Sequence, residues 1–457
     1  MEKQTLIFIP IPAAGHHASM VEMATRLLHH NPIFSATILH IPFHDFPLPS
    51  SSTSNPNNLS FHELPHLEPP QPNPNETYSV YVSLLVQLYK PHVKEAISAL
   101  SGDVLVIDFF ATTLIDVADE LGIPTYIYCT SNAAMLAVML HLPILDEEIH
   151  QDFEELEQDL IQVPGLPLIS PRSLPESIAS KKMQSYAWYL YHGRRFLEAR
   201  GIIVNTFIEL EHATLRSLSK RITNIYSIGP ILSMQKRENY RHECMKWLDE
   251  QPEKSVVFLC FGSRGRFGEE QVKEMAGGIE RSGKRFLWVM KGLEGMLPEG
   301  FEERNRKNGV VWKESVPQVE VLSHRAVGGF VTHCGWNSVM ESLWFGVPMM
   351  TWPLYAEQHM NAWLMVKEWG VGVELRVERA GGVVIKKEEI ENGVRCLMEE
   401  SNVRVRVMEM KSVCRSAVND GGSSFASFEG LVKDMFLVKA RLKSRRGEQL
   451  HVIKGLE

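Results

Sequence analysis

"FVTHCGWNSVMES", residues 330–342, joins an apolar run to a polar corner and then to a helix start. A dry core strand would not crowd His333, Asn337 and Ser338 together, and a solvated loop would not hold Phe330, Val331 and Trp336. Gly335, between Cys334 and Trp336, lets the backbone come close to something polar. Outward from this corner the pattern repeats. "SVVFLCFGS" from 255, "EEQVKEMAGGIERSG", "RFLWVM", "VGGFVTHCG" and "GVPMMTWPL" alternate apolar runs with helical segments. The first half does the same with "TLIFIPIP" (5–12), "HASMVEMATRLLHH" (17–30), "DVLVIDFF" (103–110), "TTLIDVADELG" and "PTYIYCT" (124–130). Such alternation predicts βαβ units on parallel sheets, in two doubly wound α/β halves with a cleft between them. Ligands of such folds sit at the carboxyl ends of the strands.

A chain of 457 residues is too long for one ordinary core. The polar stretch 229–252 is the expected linker, and 47–77, rich in Pro, Ser and Asn, an expected surface excursion. The acidic stretch 146–159 reads as an exposed helix or lid. An apolar fraction of 44% and a charged fraction of 22% belong to a globular, soluble class. A net charge of -8 gives no general attraction to nucleic acid. The basic cluster Lys439, Arg441, Lys443, Arg445 and Arg446 reads as a solvated helix end. The first apolar run is short and holds two prolines, so it reads as a buried strand and not as a signal peptide or membrane span. Cysteines at 129, 244, 260, 334, 396 and 414 show neither metal-ligand spacing nor a disulfide framework. A reducing, cytoplasmic setting fits, with the Asn58 and Asn75 sequons unused.

Four strand ends bear residues with chemistry. His16 follows the first strand in "PAAGHH", and Asp108 ends the apolar strand of "VIDFF". A carboxylate at that edge can anchor the far nitrogen of such a histidine, leaving the other as a base, provided that the two strands are neighbours. In "FGSRGRFGEEQ", 261–271, Gly262, Ser263 and Gly265 lie between a strand and a helix, an arrangement used for phosphate oxygens. It is neither a dinucleotide fingerprint nor a Walker A motif. The fourth is the corner at 330–342, where His333, Asn337 and Ser338 offer donors. Glu341 shares the helix face of Asn337 and Ser338 and would repel phosphate, so it should address sugar hydroxyls. No Asp-x-Asp pair offers to hold a divalent metal; helix dipoles and neutral donors are expected to carry the phosphate charge.

"SVPQVEVLSHRAVGGFVTHCGWNSVMESLWFGVPMMTWPLYAEQ", 315–358, resembles the 44-residue signature of the plant family 1 UDP-sugar-dependent glycosyltransferases. "IPIPAAGHHASMVEMATRL", "LVIDFF", "CFGSRGRFGEEQVKEMAGGIERSGKRFLW" and "GGSSFASFEGLVKDM" are similar to segments of the same family, so nearly the whole chain is covered. The resemblance implies a GT-B fold of two Rossmann-like domains facing across a cleft. Residues 1–240 would bind the acceptor, 241–435 the UDP-sugar, and 436–457 would be a helix or tail packing back toward the N-terminal domain. It also implies inversion at the anomeric carbon, no metal, and no cofactor beyond the UDP-sugar co-substrate. By position, His16 matches the general base and Asp108 the acid that orients it. Thr130 matches a contact to the sugar 6-hydroxyl or nearby phosphate, and Ser263 a phosphate contact. Val316 matches the backbone contact to uracil, Gln318 and Glu341 the ribose contacts, and His333, Asn337 and Ser338 the diphosphate contacts. Trp336 would line the sugar pocket largely through its backbone, while Glu357 and Gln358 would hold sugar hydroxyls.

One departure is large. Ser315 stands where the family has a Trp stacked on uracil, and such stacking is worth about 1–3 kcal/mol. Trp312 is three residues away, roughly 10 Å along an extended strand, so both compensation by another side chain and weaker donor binding stay open. A second departure is Ser19, where many members have Pro. Gln358 resembles the form usual in glucosyl users, which implies UDP-glucose. Phe109, Phe110, Met135, Tyr186, Trp188 and Tyr189 are candidates for a flat acceptor pocket, suited to a phenol or flavonoid-like molecule. The expected product is an O-linked β-glucoside, with carbon-linked transfer, or a non-catalytic binding protein with a weakened donor site, as alternatives. A thiol hydrolase built on His333 and Cys334 is disfavoured, because adjacent strand residues point apart. A monomer without membrane insertion or nucleic-acid partner is expected.

Overall fold

Pro10 and Pro12 decide where the first strand stops. The apolar run at 5–12 pairs only as β1 (Gln4–Ile9), since proline has no N–H for the ladder. The next helix, Ala14–His30, starts three residues before the expected 17, so His16 lies in its first turn. The computed structural model describes residues 3–42, 58–71, 76–156, 160–234, 242–292, 294–377, 383–399 and 401–437. Outside them lie the expected 240/241 boundary, Asn75, the basic cluster at 439–446, the tail from 438, and parts of 47–77 and 146–159.

The first sheet comprises β1, β2 (Phe34–His40), β3 (Leu59–Glu63), β4 (Val104–Asp108), β5 (Thr125–Cys129), β6 (Gly201–Val204) and β7 (Ile225–Ser227). The second comprises β8 (Val256–Cys260), β9 (Arg285–Val289), β10 (Gly309–Trp312), β11 (Val327–Thr332), β12 (Met349–Thr351) and β13 (Gly372–Val373). Their orders, β3-β2-β1-β4-β5-β6-β7 and β10-β9-β8-β11-β12-β13, are parallel throughout among the described residues. In each sheet the order reverses beside its first strand, between β1 and β4 and between β8 and β11. Such reversals open a crevice at the strands' carboxyl ends. Ile9 pairs with Ile107 across the first reversal, and Thr332 with Cys260 across the second.

The central strands are buried on both faces, as helices on either side of a parallel sheet require. Leu6, Ile7, Phe8 and Ile9 are all fully buried, each such large apolar side chain stabilising the fold by about 1.5–3 kcal/mol.

The structure revises three expectations. The surface excursion at 47–77 contains β3, which extends the sheet by pairing Ala36 with Leu59. The expected linker 229–252 contains a helix, Glu243–Asp249, capped by His242, which accepts from the Cys244 N–H. A helix over 423–437 sits on the first sheet, although it follows the second sheet in the chain. Its Leu431, Val432 and Met435 pack among Leu6, Phe8 and Met20, and the Gln4 amide donates to the Met435 carbonyl at 2.8 Å. Asp434 takes both the Tyr126 hydroxyl and the Arg200 guanidinium. The return to the N-terminal half therefore begins before 436.

Candidate active site

The pairing of β1 with β4 brings His16 to Asp108. Their Nδ1 and Oδ2 atoms are 2.7 Å apart, with Asp108 fully buried and the His16 side chain 26% exposed. The second carboxylate oxygen accepts from the Phe110 N–H at 3.0 Å, which holds the acid in place. Thr130, just past β5, also reaches His16 Nδ1, at 2.9 Å. Asp108 and Thr130 thus both occupy the Nδ1 side, and a proton there directed at Asp108 leaves Nε2 as the basic nitrogen. Burial opposes charge on this imidazole, but the Asp108 charge and hydrogen bond, helped by the Glu357 charge, outweigh it and raise His16 above its usual range.

His333 sits in the turn after β11, 8% exposed, with its ring held between two glycines. A Cβ on Gly262 would come 2.7 Å from its Nε2, and one on Gly335 would come 2.5 Å from it. Gly262 also has φ +72. Glycine is required at 262 on both counts. Gly262→Ala adds about 1–2 kcal/mol of left-handed strain and pushes His333 aside, so thermal unfolding is expected to show a midpoint lowered by a few degrees. Burial pushes the His333 imidazole down to about 4, against a backbone contact from Cys260, so the ring is neutral at ordinary pH.

The helix Trp336–Phe345 starts at this corner. Its N-cap, Gly335, supplies no side chain to the first-turn N–H groups, which leaves those donors and the positive end of the helix dipole for an anion. Ser338 is buried and Asn337 half-buried. The Asn337 amide donates across the cleft to the Gly15 carbonyl at 3.0 Å, and its Oδ1 is buried without a partner. Gln318 donates to Glu341 at 2.7 Å and to Ser338 at 2.9 Å. Burial pushes the Glu341 carboxyl up to about 7, against that hydrogen bond. Glu357 accepts from Ser131 at 3.3 Å, again across the cleft. Gln358 Oε1 takes the N–H groups of Leu354 and Tyr355 at 2.9 and 3.0 Å, so its amide nitrogen is the end left to donate. The Trp336 indole donates to the Asn205 carbonyl at 2.7 Å, which leaves only its backbone for a ligand.

Ser263 and Ser315 are exposed and Val316 half-buried. Trp312 ends β10 and packs on His242, ring centroids 5.0 Å apart. Around His16, Phe109 stacks at 5.7 Å and 18°, Phe110 tilts at 6.3 Å, and Tyr189 meets Phe110 edge-on at 5.3 Å. Met135 is buried in the first turn of the Ala133–Glu148 helix. Two further acceptor candidates have partners of their own. Tyr186 donates to Asp146 at 2.6 Å, and Trp188 stacks on His192 at 5.5 Å. Arg195, on the same helix, pairs with Asp116 and Glu198.

A bridge absent from the motif reading joins the halves. Asn132 Oδ1 caps its own helix by accepting from Met135 N–H, so its amide faces Asn361 Oδ1 at 2.7 Å. That in turn directs the Asn361 amide to the Cys334 carbonyl at 2.9 Å. The spacing of Asn361 three residues after Gln358, on one helix, is the only local signal for it. Among the described residues no His, Cys, Asp or Glu cluster has metal-holding geometry, and no helix is long and apolar enough to cross a membrane.

Residues 216–417 match the model of the UDP-glucoronosyl and UDP-glucosyl transferase family. UDP-glycosyltransferase 71K1 of Malus domestica is 44% identical, over 95% of this chain and 99% of its own length. The chain belongs to the plant family 1 UDP-glycosyltransferases. Among other relatives of this glycosyltransferase, malvidin galactosylase UGT88C3 of Oryza sativa subsp. japonica is 40% identical, over 95% of this chain and 98% of its own. The crystal structure of Medicago truncatula UGT71G1 complexed with UDP-glucose superimposes with a TM-score of 0.89 at 40% identity, covering 95% of this chain and 98% of that one. The two sheets are therefore those of the GT-B fold. This UDP-glycosyltransferase is a hexosyltransferase that moves a sugar from a UDP-sugar to a small molecule.

Proposed function

We propose that the enzyme transfers glucose from UDP-glucose to the hydroxyl of a phenolic or flavonoid-like acceptor, with inversion, giving an O-linked β-glucoside. The observation that carries this reading is the contact from Asn337 to Gly15. It sets the donor corner of the second half beside the turn that bears His16. In the proposed division the first half receives the acceptor and the second holds the UDP-sugar.

His16 Nε2 takes the proton from the acceptor hydroxyl as that oxygen attacks the anomeric carbon. A phenol with a pKa near about 10 needs only a modest base, and the Asp108 partner supplies one. The Phe109 ring, nearly parallel to the imidazole, suits a flat acceptor. The bond from the anomeric carbon to the diphosphate breaks on the opposite face, and His333, Asn337, Ser338 and Ser263 receive the departing charge. Gln318 and Glu341 serve the ribose; Val316 meets the base; Glu357 and the Gln358 amide hold sugar hydroxyls, beside the Trp336 backbone. Thr130 acts chiefly on the imidazole, given its distance to Nδ1.

Ser315 is exposed and offers no aromatic ring, and Trp312 packs on His242, which supports the reading that the base lacks the family's usual platform. Ser315→Trp is accordingly expected to tighten UDP by about tenfold to a hundredfold, read by calorimetry; an unchanged dissociation constant would mean that another group already covers the base.

The test of the activity is a mass-spectrometric screen of UDP-glucose, UDP-galactose and UDP-xylose against mixed phenols, followed by acid treatment of the products. Acid-labile hexosides from UDP-glucose are expected. A preference for UDP-galactose, in line with the name of the rice relative, would overturn the donor assignment, and acid-resistant products would overturn the O-linkage.

A further inference from the structure

Arg264 directly follows Ser263 and is exposed, yet its guanidinium is not loose. Its Cζ lies 4.0 Å from the centroid of the Tyr78 ring and 5.9 Å from that of Tyr355, distances at which an aromatic face attracts a cation. Tyr78 opens the helix Tyr78–Leu88 of the first half, and its hydroxyl donates to the Pro12 carbonyl, in the turn leading to His16. Tyr355 belongs to the second half, its ring 6.4 Å from that of His333. The guanidinium therefore spans the cleft mouth, between the base-bearing turn and the donor corner. Its neighbour Arg266 is turned back onto its own loop, donating to the Gly265 carbonyl at 2.9 Å.

None of the proposed diphosphate ligands is a fixed cation. Ser263, Asn337 and Ser338 carry no charge, and burial favours the neutral form of the His333 ring. When the bond to the anomeric carbon breaks, its electron pair stays with the terminal phosphate, which gains a negative charge, while the acceptor oxygen bonds to that carbon and its proton passes to His16. Hydrogen bonds from neutral groups answer that added charge less strongly than a guanidinium does.

We propose that Arg264 is a leaving-group cation, its guanidinium pairing with the terminal phosphate of UDP as the glycosyl bond breaks, with Tyr78 and Tyr355 holding it across the cleft. This rests on the donor site proposed above. Arg264→Met and Arg264→Lys in the full chain test it. The readouts are kcat and KM for UDP-glucose, and calorimetric dissociation constants for UDP and UMP. Arg264→Met is expected to lower kcat about tenfold to a hundredfold and to weaken UDP about tenfold, with UMP within about twofold of wild type, since UMP lacks the terminal phosphate. Arg264→Lys restores part of the loss, retaining charge without the planar fork.

Equal weakening of UDP and UMP, or an unchanged kcat, overturns the proposal. So does a variant that keeps its UDP-glucose kcat and loses transfer from UDP-glucuronate, because the arginine would then read a carboxylate on the sugar. Wild-type protein that binds no UDP at all removes the donor-site reading itself, whereas normal UDP binding in both wild type and Arg264→Met removes only this inference.

Discussion

His16→Ala lowers kcat for transfer to a phenol by about 10³-fold, and leaves the UDP dissociation constant within about twofold of wild type. The imidazole meets Asp108, Thr130 and two phenylalanines of the first half, and the nearest donor-side contact is made by the Gly15 backbone, which the substitution keeps. Binding and chemistry should therefore separate. Product formation by chromatography reads the first quantity and calorimetry the second. A variant with undiminished turnover would show that the proton leaves by another route, and one that no longer binds UDP would show that His16 also shapes the donor corner.

Asp108→Asn is the second large effect, with kcat expected to fall about 10²- to 10⁴-fold. The carboxylate is fully buried and anchored by the Phe110 N–H, so an amide of the same shape fits. Its NH2 end then donates to Nδ1, the ring proton moves to Nε2, and the base is capped. The pH profile adds a signature that loss of folding would not give. The wild-type acid limb lies above the usual histidine range, because the Asp108 charge and hydrogen bond raise His16 in spite of burial. Activity needs the unprotonated ring and is lost as pH falls through that value. Without the carboxylate, burial dominates and favours the neutral ring, so the residual activity of Asp108→Asn should persist to lower pH. A pH–rate curve whose acid limb stays in place, or moves upward, contradicts the pairing.

The two sheets and the polar strand ends were legible in the chain itself. The strand within "DVLVIDFF" ends at Asp108 and the run "SVVFLCFGS" ends at Ser263, because a parallel strand is apolar over its buried length and opens onto the crevice at its carboxyl end. Local pattern reports what a segment buries, and residues that break the pattern mark the strand ends at which such folds open a crevice. Pattern was weaker at the margins. β3 lies in a Pro- and Asn-rich excursion and pairs on one side only, so its five residues, little buried, lack a core strand's signal. The 436 start expected for the returning segment was late, since the amphipathic face of 423–437 reads the same whichever sheet it covers.

By itself the sequence determined two βαβ halves, His16 and Asp108 each at a strand end, and a corner at 330–342 rich in neutral hydrogen-bonding groups; the pairing of β1 with β4 made the first two neighbours. Only the tertiary structure decided that the turn bearing His16 touches that corner, that Thr130 shares the His16 nitrogen, that Tyr186 meets Asp146 and Trp188 meets His192, and that Arg264 reaches Tyr78. The physical reason is the range of each constraint. Strand and helix periodicity is set by backbone geometry within a few residues. Contacts such as Asn337 with Gly15, 322 positions apart, depend on how two separately folded sheets face each other, and no local run of residues encodes that.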